Sequence, residues 1–269
     1  MELNVNYAMI ARLLGKIMII GAGILVPPLV VSFIYSDGCW AAFVITMAVF
    51  LLLGLTSFIR LKRRELFAKD GLLLVSVAWI LFSVIGGLPF FITGQIPNFI
   101  DCIFETVSGF TTTGSSILTD VESMSKSLLF WRSFTHWIGG MGVLVFAMAI
   151  VSQKDWRTTH IMRAEMPGVK IGKLASKWQY SIRMLYVIYI ALTIIEFVLL
   201  LFGGMNVFDS MVHTFGTAGT GGFGIKSTSI GYYNSAYIDY VIGIFMVLFG
   251  INFSVYYLML AHRFMQGIK

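Results

Sequence analysis

The chain has 269 residues, is 58% hydrophobic and only 12% charged, and carries a formal net charge of +6. That much apolar surface excludes an ordinary soluble domain, and the two cysteines, Cys39 and Cys102, exclude a disulfide framework. Apolar runs long enough to cross a bilayer predict an all-α integral membrane protein with six transmembrane helices. The six runs lie at roughly 15–35, 40–59, 71–93, 129–151, 182–203 and 237–261.

Residues 1–70 are predicted to form an accessory hairpin of two helices. Ser36-Asp37-Gly38 marks its outer turn, and a basic loop closes it on the other side. Pro27-Pro28 lies inside the first apolar run and is predicted to kink that helix, because proline removes a helix hydrogen bond. The hairpin contains no candidate for chemistry.

Residues 71–151 are predicted to form a unit of span, loop and span. Gly86-Gly87 and Pro89 interrupt the first span, and the loop then begins as a short helix from 97 to about 110. The loop ends in a run of Thr and Gly residues up to Ser115. Irregular backbone is tolerated at membrane depth only where it is buried in protein or lines a water-filled cavity, so this pattern predicts a re-entrant pore loop.

Residues 152–181 are predicted to be a basic cytoplasmic connector, and residues 182–269 repeat the first unit. A short helix over 206–217 is followed by a second Gly/Thr run over 218–224. The two Gly/Thr runs lie 108 residues apart, measured from Gly114 to Gly222. Two span–loop–span units at a fixed offset are stronger evidence for a pore than either loop alone.

Basic residues are distributed unevenly between the two sides of the predicted membrane protein. If the six spans alternate, 16 of the 19 lysines and arginines lie on one side, and only Lys126, Arg132 and Lys226 lie on the other. The positive-inside rule therefore places both termini in the cytoplasm. The same distribution argues against nucleic acid as the partner of this basic chain.

The Gly/Thr runs have the chemistry that a dehydrated cation such as K⁺ needs. Glycine lets the backbone adopt unusual dihedral angles, threonine adds a hydroxyl without bulk, and carbonyl oxygens can replace the hydration shell of the ion. The short helices would direct the negative ends of their dipoles towards the ion path. Asp101 and Asp209, near the helix starts, are favoured as helix caps over direct ion ligands.

Other candidate sites are weaker. The run 219–224 resembles a dinucleotide-binding loop but lacks the strand and soluble helix that this motif requires. The four histidines have no metal-ligand spacing, and no catalytic constellation is visible, so an enzyme is not expected. Glu196 lies within the fifth span, where it either has a function or extends to water at the outer end.

Three stretches carry a resemblance to a known family: residues 105–115 (ETVSGFTTTGS), 131–142 (WRSFTHWIGGMG) and 217–224 (TAGTGGFG). With them the chain resembles the Trk/Ktr/HKT family of potassium transporters, and is most similar to its TrkH-type subunits. Those subunits have an additional helix pair before the first repeat, which corresponds to residues 1–70 here. In the family, four potassium-channel-like repeats surround one pore.

The resemblance implies potassium uptake across the cell membrane through a selectivity filter, with no cofactor other than the transported ion. The filter residues it implies are Thr112, Thr113, Gly114, Thr220, Gly221 and Gly222, with K⁺ held by the carbonyls of Thr113, Gly114, Gly221 and Gly222. The implied partners are a second copy in a homodimer and a cytosolic nucleotide-binding regulator of the TrkA type. Channel conduction and ion-coupled symport both stay open.

The chain carries two of the four repeats that the family has. We expect either a truncated product or a half-transporter, with the remaining two pore repeats supplied by a longer chain or by a second chain. Two other functions stay open: a less selective Na⁺/K⁺ pathway, and a membrane assembly or regulatory subunit that does not transport.

Overall fold

The computed structural model describes residues 6–59, 68–151 and 175–260, and within these ranges the regular structure is helical. Among the described residues, the 3-10 helices Leu55–Phe58 and Ser229–Tyr233 accompany the α-helices. In chain order the α-helices are α1 (Tyr7–Ile24), α2 (Val26–Tyr35), α3 (Trp40–Gly54), α4 (Ala68–Gly86), α5 (Leu88–Ile92), α6 (Phe99–Phe110), α7 (Lys126–Val151), α8 (Ala175–Phe202), α9 (Val207–Ala218), α10 (Ala236–Gly250) and α11 (Phe253–Leu260). Most of the basic loop 60–70, most of the connector 152–181, and residues 261–269 lie outside the described residues.

The chain divides into two compact units. The first takes in Met1–Ile103 and Val143–Gln179, and the second takes in Phe104–Gly142 and Tyr180–Lys269. The division predicted from sequence, at residues 70, 151 and 181, follows the repeats instead and stays a prediction.

In the first unit, the first predicted span consists of two helices. Helix α1 ends at Ile24 and α2 begins at Val26, with proline in the first turn of α2, where its missing N–H sacrifices no hydrogen bond. The predicted kink is therefore confirmed. Helix α1 packs closely on α3 at Gly21, where a Cβ would lie only 2.8 Å from the ring of Phe50.

The third predicted span is also interrupted where the sequence indicates. Helix α4 ends at Gly86 and α5 begins at Leu88, with proline again in the first turn. A Cβ on Gly87 would lie 3.2 Å from the backbone carbonyl of Cys102, in the first turn of α6. The glycine therefore lets the start of α6 approach the junction of α4 and α5.

Four helical segments of the described residues are long and apolar enough to cross a membrane. They are Tyr7–Tyr35, Trp40–Phe58, Asp70–Ile92 and Met184–Phe202, which correspond to the first, second, third and fifth predicted spans. Large apolar side chains such as Leu52 and Ile80 are exposed on them, as lipid-facing residues would be. The chain is thus a multi-pass membrane protein.

The two remaining predicted spans are not among these four segments of the described residues. The fourth falls on α7, whose 26 residues extend about 39 Å at 1.5 Å per residue. The sixth, predicted as one helix over 237–261, is wrong in that form. Helix α10 ends at Gly250, Ile251 is extended with ψ of 139°, and α11 begins at Phe253.

Candidate functional site

Two short helices of the chain, α6 and α9, are built alike. Each has 12 residues, and α9 begins and ends 108 positions after α6. The Asn98 side chain accepts a hydrogen bond from the N–H of Ile100 (3.0 Å), and the Asn206 side chain accepts one from Asp209 (2.9 Å). The side-chain caps are therefore asparagines, and the aspartates favoured from sequence lie within the first turns instead.

The chain leaves the two helices through matching hydrogen bonds. We call residues 111–114 the first Thr/Gly segment and residues 219–222 the second Thr/Gly segment. The N–H donors and carbonyl acceptors are Thr111–Val107, Thr112–Gly109 and Thr113–Ser108 after α6, and Gly219–Phe215, Thr220–Thr217 and Gly221–Gly216 after α9. Every pair recurs at the offset of 108, so the sequence repeat is also a repeat of backbone geometry.

Both segments contain the same two left-handed residues. The φ angle is +56° at Thr112 and +55° at Thr220, and it is +79° at Gly114 and +77° at Gly222. A β-branched residue with positive φ is a genuine outlier, and such strain costs on the order of 1–3 kcal/mol and clusters at functional sites. The glycines adopt the same region without that cost.

The six filter residues predicted from sequence all lie in these two segments, and the structure brings some of them together. A Cβ on Gly114 would overlap the carbonyl oxygen of Gly221, so the two segments touch within the second unit. A Cβ on Gly222 would meet no described residue within 4 Å. The hydroxyls of Thr111 and Thr113 are 2.8 Å apart.

Helix α7 packs closely against both short helices. A Cβ on Gly139 would overlap the carbonyl oxygen of Phe110, at the end of α6. A Cβ on Gly140 would lie 2.7 Å from the Tyr189 hydroxyl and 3.2 Å from the carbonyl oxygen of Ala218, at the end of α9. These two glycines therefore allow α7 to approach both short helices closely.

A buried ion pair joins α6 to α7. Arg132 Nε donates to Glu105 Oε1, and both side chains are almost wholly buried. Glu105 also accepts hydrogen bonds from the Ser116 hydroxyl (2.9 Å) and from the backbone N–H of Ile117 (3.0 Å). The carboxylate therefore holds the chain just after the first Thr/Gly segment.

The same arginine contacts the chain just after the second Thr/Gly segment. Arg132 Nη1 donates to the carbonyl oxygen of Gly224 at 2.9 Å, and the guanidinium lies 3.5 Å from the centre of the Phe223 ring. His136, one helical turn later, also contacts this ring, with 3.9 Å between ring centres. A Cβ on Gly221 would overlap His136 Nε2, so the imidazole packs directly against the second segment.

An exposed ion pair links the two connections that follow the segments. Lys226 Nζ donates to Glu122 Oε2 at 2.8 Å and lies 4.1 Å from the centre of the Tyr232 ring. The hydrogen bond from Lys226 lowers the pKa of Glu122, and the same bond raises the pKa of Lys226.

Polar side chains also group near the start of α9. The Tyr233 hydroxyl donates to Asp209 Oδ2 at 2.8 Å and lies 3.3 Å from His213 Nε2. Burial, followed by the hydrogen bond to Asp209, raises the pKa of Tyr233. Asp209 thus anchors the 3-10 helix Ser229–Tyr233 to α9, a contact that sequence reasoning did not foresee.

Sequence reasoning also missed the pair of Glu105 and Arg132. The sequence places both residues on the outer side and within the family motifs, but it does not indicate that they pair. The available signal was chemical, because ionisable residues within apolar membrane segments pair with one another and mark functional sites. Glu196, for its part, is fully buried, which contradicts the alternative that it extends to water.

The segments offer main-chain carbonyl and threonine hydroxyl oxygens, which are the ligands that hard cations prefer. Within the ranges 6–59, 68–151 and 175–260, no three His, Cys, Asp or Glu side chains are grouped so as to hold a metal ion. Long apolar helices and a duplicated helix-and-segment unit of this composition define a membrane protein of the cation-transport class.

Comparison with known proteins identifies the family. The profile described as "TrkH: Cation transport protein" matches residues 40–268. The Trk system potassium uptake protein TrkH of Escherichia coli K12 is 35% identical over 265 residues, which cover 96% of this chain and 54% of that protein. The TrkH of Halomonas elongata is 33% identical over 253 residues, covering 93% of this chain and 52% of that protein.

A solved structure agrees with these relatives. The crystal structure of the potassium transporter TrkH from Vibrio parahaemolyticus matches with a TM-score of 0.81 and 31% identity, covering 96% of this chain and 53% of that one. The chain belongs to the TrkH family of cation transport proteins. The resemblance found in the sequence is confirmed, and the family is one of transporters rather than enzymes. The chain spans about half the length of the curated relatives it matches.

Proposed function

We propose that this chain forms part of a potassium uptake pathway, in which the two Thr/Gly segments contribute backbone carbonyl oxygens to one K⁺ filter. The observation that carries the proposal is the repeated backbone geometry, since the same left-handed pair of residues recurs at an offset of 108. Thr113, Gly114, Gly221 and Gly222 supply the carbonyls, while Thr112 and Thr220 hold the strained turns. The relatives are named as potassium uptake proteins, which supports K⁺ as the substrate.

A filter of this kind needs more oxygens than two segments provide. Potassium channels build theirs from four loops around one axis. We therefore infer that two further pore repeats, in the same longer chain or in a second chain, complete the ring. The relatives are about twice as long as this chain, which supports the inference.

The proposal includes six spans, two re-entrant loops and cytoplasmic termini. The membrane would be the bacterial inner membrane, since the curated relatives include those of Escherichia coli. Substituted cysteines test the topology, because the native Cys39 and Cys102 are both buried. Cysteines at Lys62 and Lys173 should react with an impermeant reagent only from the cytoplasmic side. Labelling from the outside would contradict the topology.

The partners in the proposal are a second copy of the transporter and a cytosolic nucleotide-binding regulator that docks on the basic connector 152–181. Neutralising Lys170, Lys173 and Lys177 together should weaken capture of the regulator, since the connector is basic and long. Undiminished capture would move the docking surface elsewhere.

Transport itself is tested in a bacterial strain that lacks its own K⁺ uptake systems. The full transporter that contains these residues should restore growth at low K⁺ and should take up K⁺ in preference to Na⁺. Equal uptake of both ions would favour the less selective pathway. Abundant membrane protein without any uptake would favour an assembly or regulatory subunit. Gly243→Ala is a control for the uptake assay and should transport like the wild type, because a Cβ there meets no described residue within 4 Å.

A further inference from the structure

We propose that Glu105 and Arg132 form a brace that holds the two Thr/Gly segments at a fixed separation and thereby sets which cations pass. The brace is the ion pair together with its contacts to residues 116–117 and 223–224. The inference rests on the proposed function, because it gives the pair a positioning role in the same filter.

One arm of the brace is the carboxylate. Glu105 lies on α6, and its two oxygens accept hydrogen bonds from Ser116 and Ile117 in addition to Arg132. Hydrogen bonds to an ionised acceptor are roughly twice as strong as neutral ones. We call residues 116–117 the exit of the first Thr/Gly segment and residues 223–224 the exit of the second. The first exit is therefore held to α6, the helix that precedes it.

The other arm is the guanidinium. Arg132 lies on α7, donates to the Gly224 carbonyl, and stacks against the Phe223 ring while it keeps its bond to Glu105. A planar guanidinium can make all three contacts at once, whereas a lysine ammonium is a compact point charge. The exit of the second Thr/Gly segment is therefore tied to the same ion pair.

The two arms attach at equivalent places. The first attachment, at Ser116, lies two residues after Gly114, and the second, at Gly224, lies two residues after Gly222. A shift of the ion pair therefore displaces both segments at matching points. Since Gly114 and Gly221 are already in contact, a small change in separation alters the space between the segments.

The second repeat has no corresponding pair. At the offset of 108, Glu105 corresponds to His213 and Arg132 to Tyr240. His213 lies beside Tyr233, and Tyr240 is largely exposed. One ion pair, built from the first repeat only, therefore serves both segments.

A contribution to folding stability alone does not explain why a buried ion pair lies at this position. Removing two charges from water costs so much that a buried ion pair is often no more stable than a well-packed apolar substitute. What the pair supplies, and an apolar substitute does not, is directed hydrogen bonds to both segment exits. Ion discrimination depends on how the coordinating carbonyls are placed, so the geometry of the exits bears on selectivity.

The central experiment compares the wild-type full transporter with Arg132→Lys. The lysine keeps the charge beside Glu105, so the carboxylate is not left unpaired. The variant loses the planar guanidinium that contacts Gly224 and Phe223. We expect the ratio of Na⁺ to K⁺ uptake to rise about tenfold, a change of about 1.4 kcal/mol in the discrimination between the two ions. An unchanged ratio in protein that reaches the membrane normally would overturn the brace.

A matched control uses the other ion pair between the two exits. Lys226→Gln removes the exposed bond from Lys226 to Glu122 and should leave the ratio of Na⁺ to K⁺ uptake at the wild-type value. If this variant changes the ratio as much as Arg132→Lys does, the effect reflects any link between the exits, and the specific brace is wrong.

Hydrogen exchange gives a readout that does not depend on transport. In Arg132→Lys, amide exchange should rise in the peptides that contain residues 113–118 and 222–226, and not in those from α3. A rise in one exit only would show that the pair does not couple the two segments and would overturn the proposal. The double variant Glu105→Gln/Arg132→Gln, which removes both charges together, provides the same test if the lysine variant does not fold.

The outcomes separate this inference from the proposed function. If the wild-type transporter takes up no K⁺, the proposed function fails, while the exchange experiment still decides whether the pair couples the exits. If the wild type is K⁺-selective and Arg132→Lys is equally selective, only the brace fails.

Discussion

The two Thr/Gly segments have the same backbone but different surroundings. Their φ angles agree within 2° at both left-handed positions, and three backbone hydrogen bonds to the preceding helix recur at the offset of 108. The second segment adds a fourth, from the N–H of Gly222 to the carbonyl of Gly216. Gly114 nevertheless lies against the carbonyl of Gly221, whereas a Cβ on Gly222 would meet no described residue of this chain within 4 Å. The repeat thus keeps the shape of the segment, whereas the contacts of its two filter glycines differ within the described part of the chain.

Replacing the two glycines by serine should therefore have unequal effects, with the larger at Gly114. There a side chain would combine left-handed strain with overlap of a backbone carbonyl, which together cost roughly 2–5 kcal/mol. Gly114→Ser should strongly reduce the preference of the transporter for K⁺ over Na⁺ in uptake assays, because the Gly221 carbonyl must move. Unchanged selectivity would remove Gly114 from the filter.

Gly222→Ser adds the left-handed strain without an overlap against the described residues of this chain. We expect a cost of about 1–2 kcal/mol in stability and a smaller loss of selectivity than at Gly114. Thermal unfolding of the purified transporter and competition between Na⁺ and K⁺ measure the two effects. A larger loss at Gly222 than at Gly114 would contradict the role assigned to their surroundings.

The packing of α7 against α6 should be the next most sensitive feature. A Cβ on Gly139 would overlap the Phe110 carbonyl, and overpacking of this kind typically costs about 1–3 kcal/mol. Gly139→Ala should lower the unfolding temperature accordingly. Gly243→Ala on α10, where a Cβ meets nothing within 4 Å, is the matched control and should be no less stable than the wild type. Equal stability of the two variants would argue against the close approach.

The asparagine caps test whether the two repeats are equivalent away from the filter. Asn98→Ala and Asn206→Ala each remove one hydrogen bond to the first turn of a short helix, which costs about 1 kcal/mol. We expect similar decreases in unfolding temperature for both variants, with selectivity retained. A much larger effect at one cap would show that the helices are not equivalent.

The smallest effect is expected at the exposed pair of Glu122 and Lys226. Because the folded-state pKa of Glu122 is lowered, its contribution is present above its unfolded pKa and is lost as the pH falls through the folded value. Because the folded-state pKa of Lys226 is raised, its contribution is lost as the pH rises through that value. Glu122→Gln should therefore be slightly less stable than the wild type near neutral pH. This difference in the free energy of unfolding should be constant there and should disappear in acid. A difference that grows in acid would contradict this pairing.

The sequence predicted the short helices and the segments that follow them, because glycine and threonine runs are local signals and the same pattern recurs at an offset of 108. It predicted the kink at Pro27-Pro28 for the same reason, since proline alters the backbone where it stands. The break at Ile251 differs from the single span predicted there, although Gly250 and Asn252, on either side of it, both favour turns.

The contacts between distant residues could not be read from local patterns. Arg132 and Glu105 are 27 positions apart, and Arg132 and Gly224 are 92 apart, so only the folded chain shows that one guanidinium reaches both. The contact of Gly114 with the Gly221 carbonyl is likewise a property of packing. It could not be predicted, because Gly114 and Gly222 occupy equivalent positions of the sequence repeat.

In the proposed filter, both Thr/Gly segments bind the same ion. The most direct measurement is a crystal structure of the full transporter prepared in a rubidium salt, with the ion located by its anomalous scattering. We predict a peak in contact with the carbonyl oxygens of Thr113, Gly114, Gly221 and Gly222. A rubidium peak that contacts neither segment, or only one of them, would contradict the claim.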